Sequence, residues 1–159
     1  HLCTRTSLHS IATGSITIYK SSATVFNFIA DLQNDKQWRK EINGTTMQGA
    51  PQLGAMAKED SFLSKRTPSH VLQLVCTAFT QNQQVVYETV PQSKFYLKSI
   101  RQVEAVSLNE TKLTYTVTFD KGIVKQGLGF NLPTFIVNLV AGTDLKKYLA
   151  KLKQVLEAN

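Results

Sequence analysis

Apolar and polar positions alternate with two different periods along this chain. Near the C-terminus, Leu145, Tyr148, Leu149, Leu152, Val155 and Leu156 recur at three- and four-residue spacings, with Lys146, Lys147, Lys151 and Gln154 on the other side. That is the period of an amphipathic helix with one face on a core. Pro133 suits a first helical turn, where its missing N–H costs nothing, so a helix is predicted over Asn131–Ala158. Before it the period is two. Leu113, Tyr115, Val117 and Phe119 alternate with Thr114, Thr116 and Thr118, which predicts a strand with one face buried and one in water.

The first half of the long helix has a different pattern. At about 100° per residue the stripe extends back through Ala141, Gly142, Asn138, Thr134 and Asn131, which are small or polar. Ile136, Leu139 and Val140 then fall on the back. Two readings stand. Either a thin inner face leaves room for a cavity, into which Asn138 offers a donor and an acceptor, or Gly142 kinks the helix and resets its phase, turning Asn138 outward.

The remaining pattern is read in chain order. Residues 1–10 read as a leader. Ile11–Tyr19 reads as a strand, and Ser21 or Ser22 caps a helix over Ala23–Leu32 with Val25, Phe28, Ile29 and Leu32 on one face. A second short helix is predicted over Asp35–Ile42, with Trp38 in the core, followed by a turn at Asn43-Gly44. Strands follow over Thr45–Gly49, Ala55–Ser64, His70–Thr80, Val85–Val90 and Phe95–Leu108, then the strand of Tyr115. Gly122–Phe130 is an apolar, glycine-bearing connection to the long helix. The order is one strand, two short helices, six strands and one long helix. Short turns between consecutive strands predict an antiparallel meander, and a curled meander around a helix predicts a hollow between them.

The chain has 159 residues, which fits one domain over 11–159 with a sizeable core. No run is apolar and long enough to span a bilayer. No signal peptide is visible, which favours a cytoplasmic location, although the chain begins at His1 and not at methionine. The 18 Lys and Arg against 11 Asp and Glu give a net charge of +7, dispersed along the sequence. Dispersed basic charge reads as a solvated surface that suits an anionic ligand, acidic lipid headgroups or RNA. No short nucleic-acid motif accompanies it, so no nucleic-acid partner is expected. Cys3 and Cys76 do not make a disulfide framework, and with three scattered histidines they give no metal-ligand spacing; neither metal nor cofactor is expected. The sequons at Asn43-Gly44-Thr45 and Asn109-Glu110-Thr111 carry little weight alone.

The segment Ser15–Ile42, SITIYKSSATVFNFIADLQNDKQWRKEI, resembles the opening of the helix-grip fold of the START and Bet v 1-like superfamily, with its polyketide cyclase and dehydrase-like branch. It has the strand, the serine-capped helix with Val25-Phe26, Asp31 and then Trp38. Gly54, Tyr87-Glu88 before Pro91, Asn109-Glu110-Thr111 and the closing Leu149, Leu152-Lys153 and Glu157 agree with it. The resemblance implies an α+β fold, a curved antiparallel sheet of about seven strands wrapped on a C-terminal helix. It also implies a cavity for an apolar molecule of lipid, sterol, quinone, polyketide or plant-hormone type. No catalytic residue travels with the fold.

Candidate chemistry is sparse. The expected lining is Phe62, Leu72, Leu74, Tyr87, Tyr115, Val117, Phe135 and Asn138. His70 shares strand parity with Leu72 and Leu74, so it either hydrogen-bonds a ligand or acts as a base at the cavity's end, or sits idle at a wet strand end. Tyr115 either orients a ligand oxygen or belongs to the core. Glu59 and Asp60 are adjacent on a strand, so one points inward and the other outward; the inward one either pairs with Arg66, Arg101 or Lys98 as a buried ion pair or completes a proton-transfer site with His70 and Tyr115. Three functions fit: a carrier of a hydrophobic ligand, a cyclase- or dehydrase-type enzyme, and a module docking on membrane or protein through its basic surface.

Overall fold

A computed structural model describes residues 9–158. The leader and Cys3 therefore lie largely outside the described residues. The predicted α+β architecture is present. Seven antiparallel strands form one curved sheet in the order β1-β7-β6-β5-β4-β3-β2. The strands are β1 (His9–Ile18), β2 (Ile42–Gln48), β3 (Met56–Ser61), β4 (His70–Thr80), β5 (Gln84–Thr89), β6 (Leu97–Ser107) and β7 (Glu110–Asp120). Among the described residues, only the β1–β7 pairing joins strands distant in sequence. The rest is a meander, as short polar turns dictate.

Three helices accompany the sheet: α1 (Ser22–Ala30), α2 (Gly122–Leu128) and α3 (Thr134–Glu157). The Ser21 hydroxyl caps α1 by accepting the Thr24 N–H at 3.2 Å. α1 buries Val25, Phe26, Ile29 and Ala30; Phe28, expected on that face, is only partly buried. α2 falls within the connection expected at Gly122–Phe130.

Helix α3 packs along β1, and Gly14 makes the close approach possible. A Cβ there would lie 3.1 Å from Leu149 Cδ1 and 3.3 Å from Leu145 Cδ2. The far end of α3 is fastened to the same strand. Lys153 Nζ donates to the Thr17 carbonyl at 2.6 Å, and Glu157 accepts the Tyr19 N–H at 2.9 Å.

Two local expectations are corrected. Asp35–Ile42 is not a helix: a 3₁₀ helix spans Leu32–Gln37, and Ile42 already belongs to β2. Asp31 starts it by accepting the Gln33 N–H. The chain then leaves helical geometry while Asp35 and Arg39 join a buried ionic network. Asn43-Gly44 is not a turn. It lies inside β2 at a register shift between Ile42 and Gly44, a β-bulge, where a flexible glycine is equally at home. The Asn43 amide donates to Asp60 at 3.1 Å and to the Pro68 carbonyl at 2.9 Å.

Candidate functional site

Between the inner face of the sheet and α3 lies a cavity of about 660 Å³, within the range of small-molecule sites. Its walls follow from strand parity. Leu72 and Leu74 reach it from β4, Leu97 from β6, and Val117 and Phe119 from β7. Ile123, Val124 and Leu128 of α2, with Val137, Ala141 and Leu145 of α3, close the other side.

Of the expected lining residues, Phe62, Leu72, Leu74, Tyr87, Tyr115 and Val117 all border the cavity. Asn138 and Phe135 do not. Both are exposed, Phe135 by 72%. The helix phase explains this. The buried residues of α3 and Ala141 run Val137, Ala141, Leu145, Leu149, Leu152 and Leu156. Four-residue steps dominate, which exceeds the helical repeat of about 3.6. The inward line therefore winds round the helix, and Val137, not Asn138, is on it. No break at Gly142 is involved, since α3 is continuous through it.

Glu59 and Asp60 divide as alternation requires, and Glu59 is the inward one. Asp60 does not line the cavity. It accepts from Asn43 and from the Ser69 hydroxyl at 2.8 Å, and these bonds hold its carboxyl below the usual range. Asp60 is thus withdrawn from any cavity proton-transfer set. The Glu59 carboxylate takes Arg39 Nη1 at 3.0 Å, so it sits in an ion pair.

That ion pair belongs to a larger buried network, in which Glu59 and Arg101 were expected and Asp35, Arg39 and Glu41 were not. Asp35 is fully buried and accepts from Arg101 Nη1 at 2.8 Å, Arg101 Nη2 at 2.5 Å and Arg39 Nη1 at 2.9 Å. Arg39 also holds Glu41 at 2.9 Å. The Arg101 guanidinium lies over the Trp38 and Tyr115 rings, 5.0 and 5.1 Å from their centroids, within cation–π range. Burial acts to lower the Arg101 pKa, but the Asp35 charge and hydrogen bonds outweigh it and hold the pKa above its ordinary value. Arg39, Glu41, Glu59 and Arg101 all line the cavity, so one part of its wall is ionic. Arg101 had a signal in the sequence: it shares inward parity with Ser99 and Val103 and sits opposite Tyr115. Arg39 and Glu41 lie in an aperiodic stretch and had none.

One polar atom in the lining, His70 Nε2, is buried without a hydrogen-bond partner. Burial lowers the His70 pKa below its ordinary value, with Glu59 and Asp60 opposing and Lys94 assisting. His70 is therefore a neutral imidazole at pH 7. The Tyr148 phenol also lines the cavity; burial, then the Glu41 charge and a hydrogen bond to Glu41, push its pKa up, so it stays protonated. Tyr87 turns its hydroxyl into the structure, donating to the Ala30 carbonyl at 2.6 Å. Among the described residues no cluster of His, Cys, Asp or Glu is arranged to hold a metal.

No sequence-family model matches the chain, and no curated protein matches it in sequence. Similarity to solved structures is extensive. A START superfamily protein from Mycobacterium smegmatis is similar at a TM-score of 0.73 and 16% identity, over 93% of this chain and 97% of that one. The two chains share one fold. The Zhui aromatase/cyclase from Streptomyces sp. R1128 is similar at a TM-score of 0.71 and 12% identity, over 94% of both chains. The di-domain aromatase/cyclase BexL of the BE-7585A biosynthetic pathway matches over 96% of this chain and 51% of its own, at a TM-score of 0.67 and 14% identity. The START-like fold thus extends through almost the whole of this chain, while the ionic wall is described by this chain's own residues.

Proposed function

We propose that the protein binds or carries a hydrophobic small molecule bearing at least one hydroxyl group. The observation that carries this reading is the cavity itself: a mostly apolar lining with one unpartnered buried atom, His70 Nε2. A neutral imidazole nitrogen either donates or accepts, and a hydroxyl group answers both. The apolar wall selects the body of the ligand, in the lipid, sterol, quinone or polyketide size class. Native mass spectrometry of the freshly purified protein, with extraction of anything bound, tests this. An apolar, hydroxylated adduct at one per chain is expected. A charged, fully polar adduct in the cavity would refute the reading.

A cyclase- or dehydrase-type activity is the second reading, favoured by His70 and Tyr115, which both line the cavity. The ion pairing of Glu59 and the outward Asp60 weigh against it, because they leave His70 without a free carboxylate to relay its proton. The two readings separate on His70→Gln. In an enzyme it abolishes turnover and leaves binding nearly intact; in a carrier it alters only affinity.

A further inference from the structure

The cavity opens onto a surface whose chemistry points to a specific partner. Leu128 and Val140 both line the cavity and are both exposed, so its mouth continues into the outer surface. Three segments build that surface and are tied to one another. The Ser64 hydroxyl donates to the Gly127 carbonyl at 2.5 Å, and the Thr67 hydroxyl donates to the Gln126 carbonyl at 3.0 Å. These bonds join the β3–β4 connection to α2. Lys121 Nζ donates to Thr134 Oγ1 at 2.6 Å and joins the start of α2 to the start of α3.

The outward apolar side chains at this end are large. Phe130 is 57% exposed and Leu139 69%, beside the still more open Phe135. Phe135 and Leu139 are four residues apart on α3 and so share one face. Charge at this end has one sign. Residues 121–143 contain Lys121 and Lys125 and no Asp or Glu, and residues 61–69 contain Lys65 and Arg66 and no Asp or Glu. The Arg66 guanidinium lies against Gly129, which has φ +85°, placing a cation directly beside Phe130. The acids that flank these segments are engaged elsewhere: Asp120 accepts the Gly122 N–H, Asp60 is held by Asn43 and Ser69, and Asp144 faces the cavity.

From this combination we infer that the α2–α3 end docks on the surface of an anionic lipid bilayer. The aromatic and leucine side chains insert at the headgroup boundary, and Lys65, Arg66, Lys121 and Lys125 meet the phosphates. An apolar mouth rimmed by cations fits a surface that is apolar within and anionic outside. It also gives an apolar cavity molecule a path that does not cross water. The inference concerns the outer surface and holds whatever the cavity carries. No helix of the described residues is long and apolar enough to cross a membrane, so this contact is peripheral.

The test is sedimentation of the full chain with two kinds of vesicle: phosphatidylcholine alone, and three parts phosphatidylcholine to one part phosphatidylserine. Binding to the anionic vesicles is expected at low salt, falling as salt rises, with much weaker binding to the neutral ones. Lys65→Gln with Lys125→Gln should weaken anionic-vesicle binding about 25-fold, at roughly five-fold per cation. Phe135→Asp with Leu139→Asp should weaken it more than ten-fold while leaving the circular dichroism spectrum and uptake of a neutral apolar probe in solution unchanged. Equal binding to both vesicles, or binding indifferent to both double variants, overturns the inference. So does self-association that the Asp variants abolish in a protein that ignores vesicles, since the patch would then belong to a second copy. Probe uptake separates these failures from failure of the ligand-binding proposal.

Discussion

Replacing Asp35 by Ala tests the ionic wall most severely. Asp35 is fully buried and is the carboxylate shared by two guanidiniums. The two arginines do not lose equally. Arg39 keeps Glu59 at 3.0 Å and Glu41 at 2.9 Å. Arg101, 1% exposed, keeps only neutral partners, the Ile29 carbonyl at 2.8 Å and the Ser99 hydroxyl at 3.2 Å, together with two aromatic faces. The cost is therefore dominated by one uncompensated buried cation, for which removal of a partner costs about 3–5 kcal/mol. In a domain of this size about 1 kcal/mol moves Tm by roughly 2–4 °C, so Asp35→Ala should lower Tm by about 6–20 °C. The assay is thermal unfolding by circular dichroism, with Asp35→Leu/Arg101→Met beside the single variants. Removing both charges leaves no orphan at the Arg101 site, so the double variant should be more stable than Asp35→Ala. A fall in Tm below about 3 °C for Asp35→Ala, or a double variant whose loss equals the sum of the single losses, would refute the reasoning.

Three further predictions rest on other parts of the structure. Gly14→Leu should destabilise the fold by about 1–3 kcal/mol, read by urea unfolding, because its side chain collides with Leu145 and Leu149 of α3; an unchanged midpoint would mean that α3 can retreat from β1 freely. The folded-state pKa of His70 lies below its unfolded value, so protonation favours unfolding: its contribution is intact above the unfolded value of about 6.5 and declines as pH falls through and below it. Stability curves measured across that window should therefore fall less steeply for His70→Gln than for the parent, and parallel curves would remove His70 from the account. Asn138→Leu should leave apolar-probe affinity unchanged, since Asn138 faces solvent; a marked loss of affinity would place it back on the cavity.

How much of this was legible in the sequence depended on periodicity. The two-residue alternation in β7 and the three–four spacing of Leu145, Leu149, Leu152 and Leu156 identified the sheet, the helix and the inward faces of both. The sheet face supplied Leu72, Leu74, Tyr87, Tyr115 and Val117 to the cavity lining, with Phe62 just past β3, while the two residues expected from the helix failed. Where the pattern was extrapolated it failed. A stripe carried backward at a fixed angle reached Asn138, but the inward line of α3 winds and Val137 occupies that place. The Asn43-Gly44 pair suits a turn and a bulge alike, and strand pairing with β3 decided for the bulge. The Asp35–Arg39–Arg101 network draws on the 3₁₀ segment, the stretch after it and β6, and the Asp35–Arg101 pair spans 66 positions. No local pattern encodes a contact of that range; only the charged residue at inward parity in β6 hinted at it.

The central claim is a hollow between sheet and α3 that accepts an apolar molecule, and titration of the purified, delipidated protein with a neutral naphthylamine fluorophore tests it most directly. The account predicts saturable, blue-shifted emission with one probe per chain, lost when Val117→Trp fills the cavity wall and retained in Asn138→Leu. Emission that never saturates, or that is indifferent to Val117→Trp, would mean that the probe sits on the exposed apolar surface and that the space between sheet and helix takes no ligand.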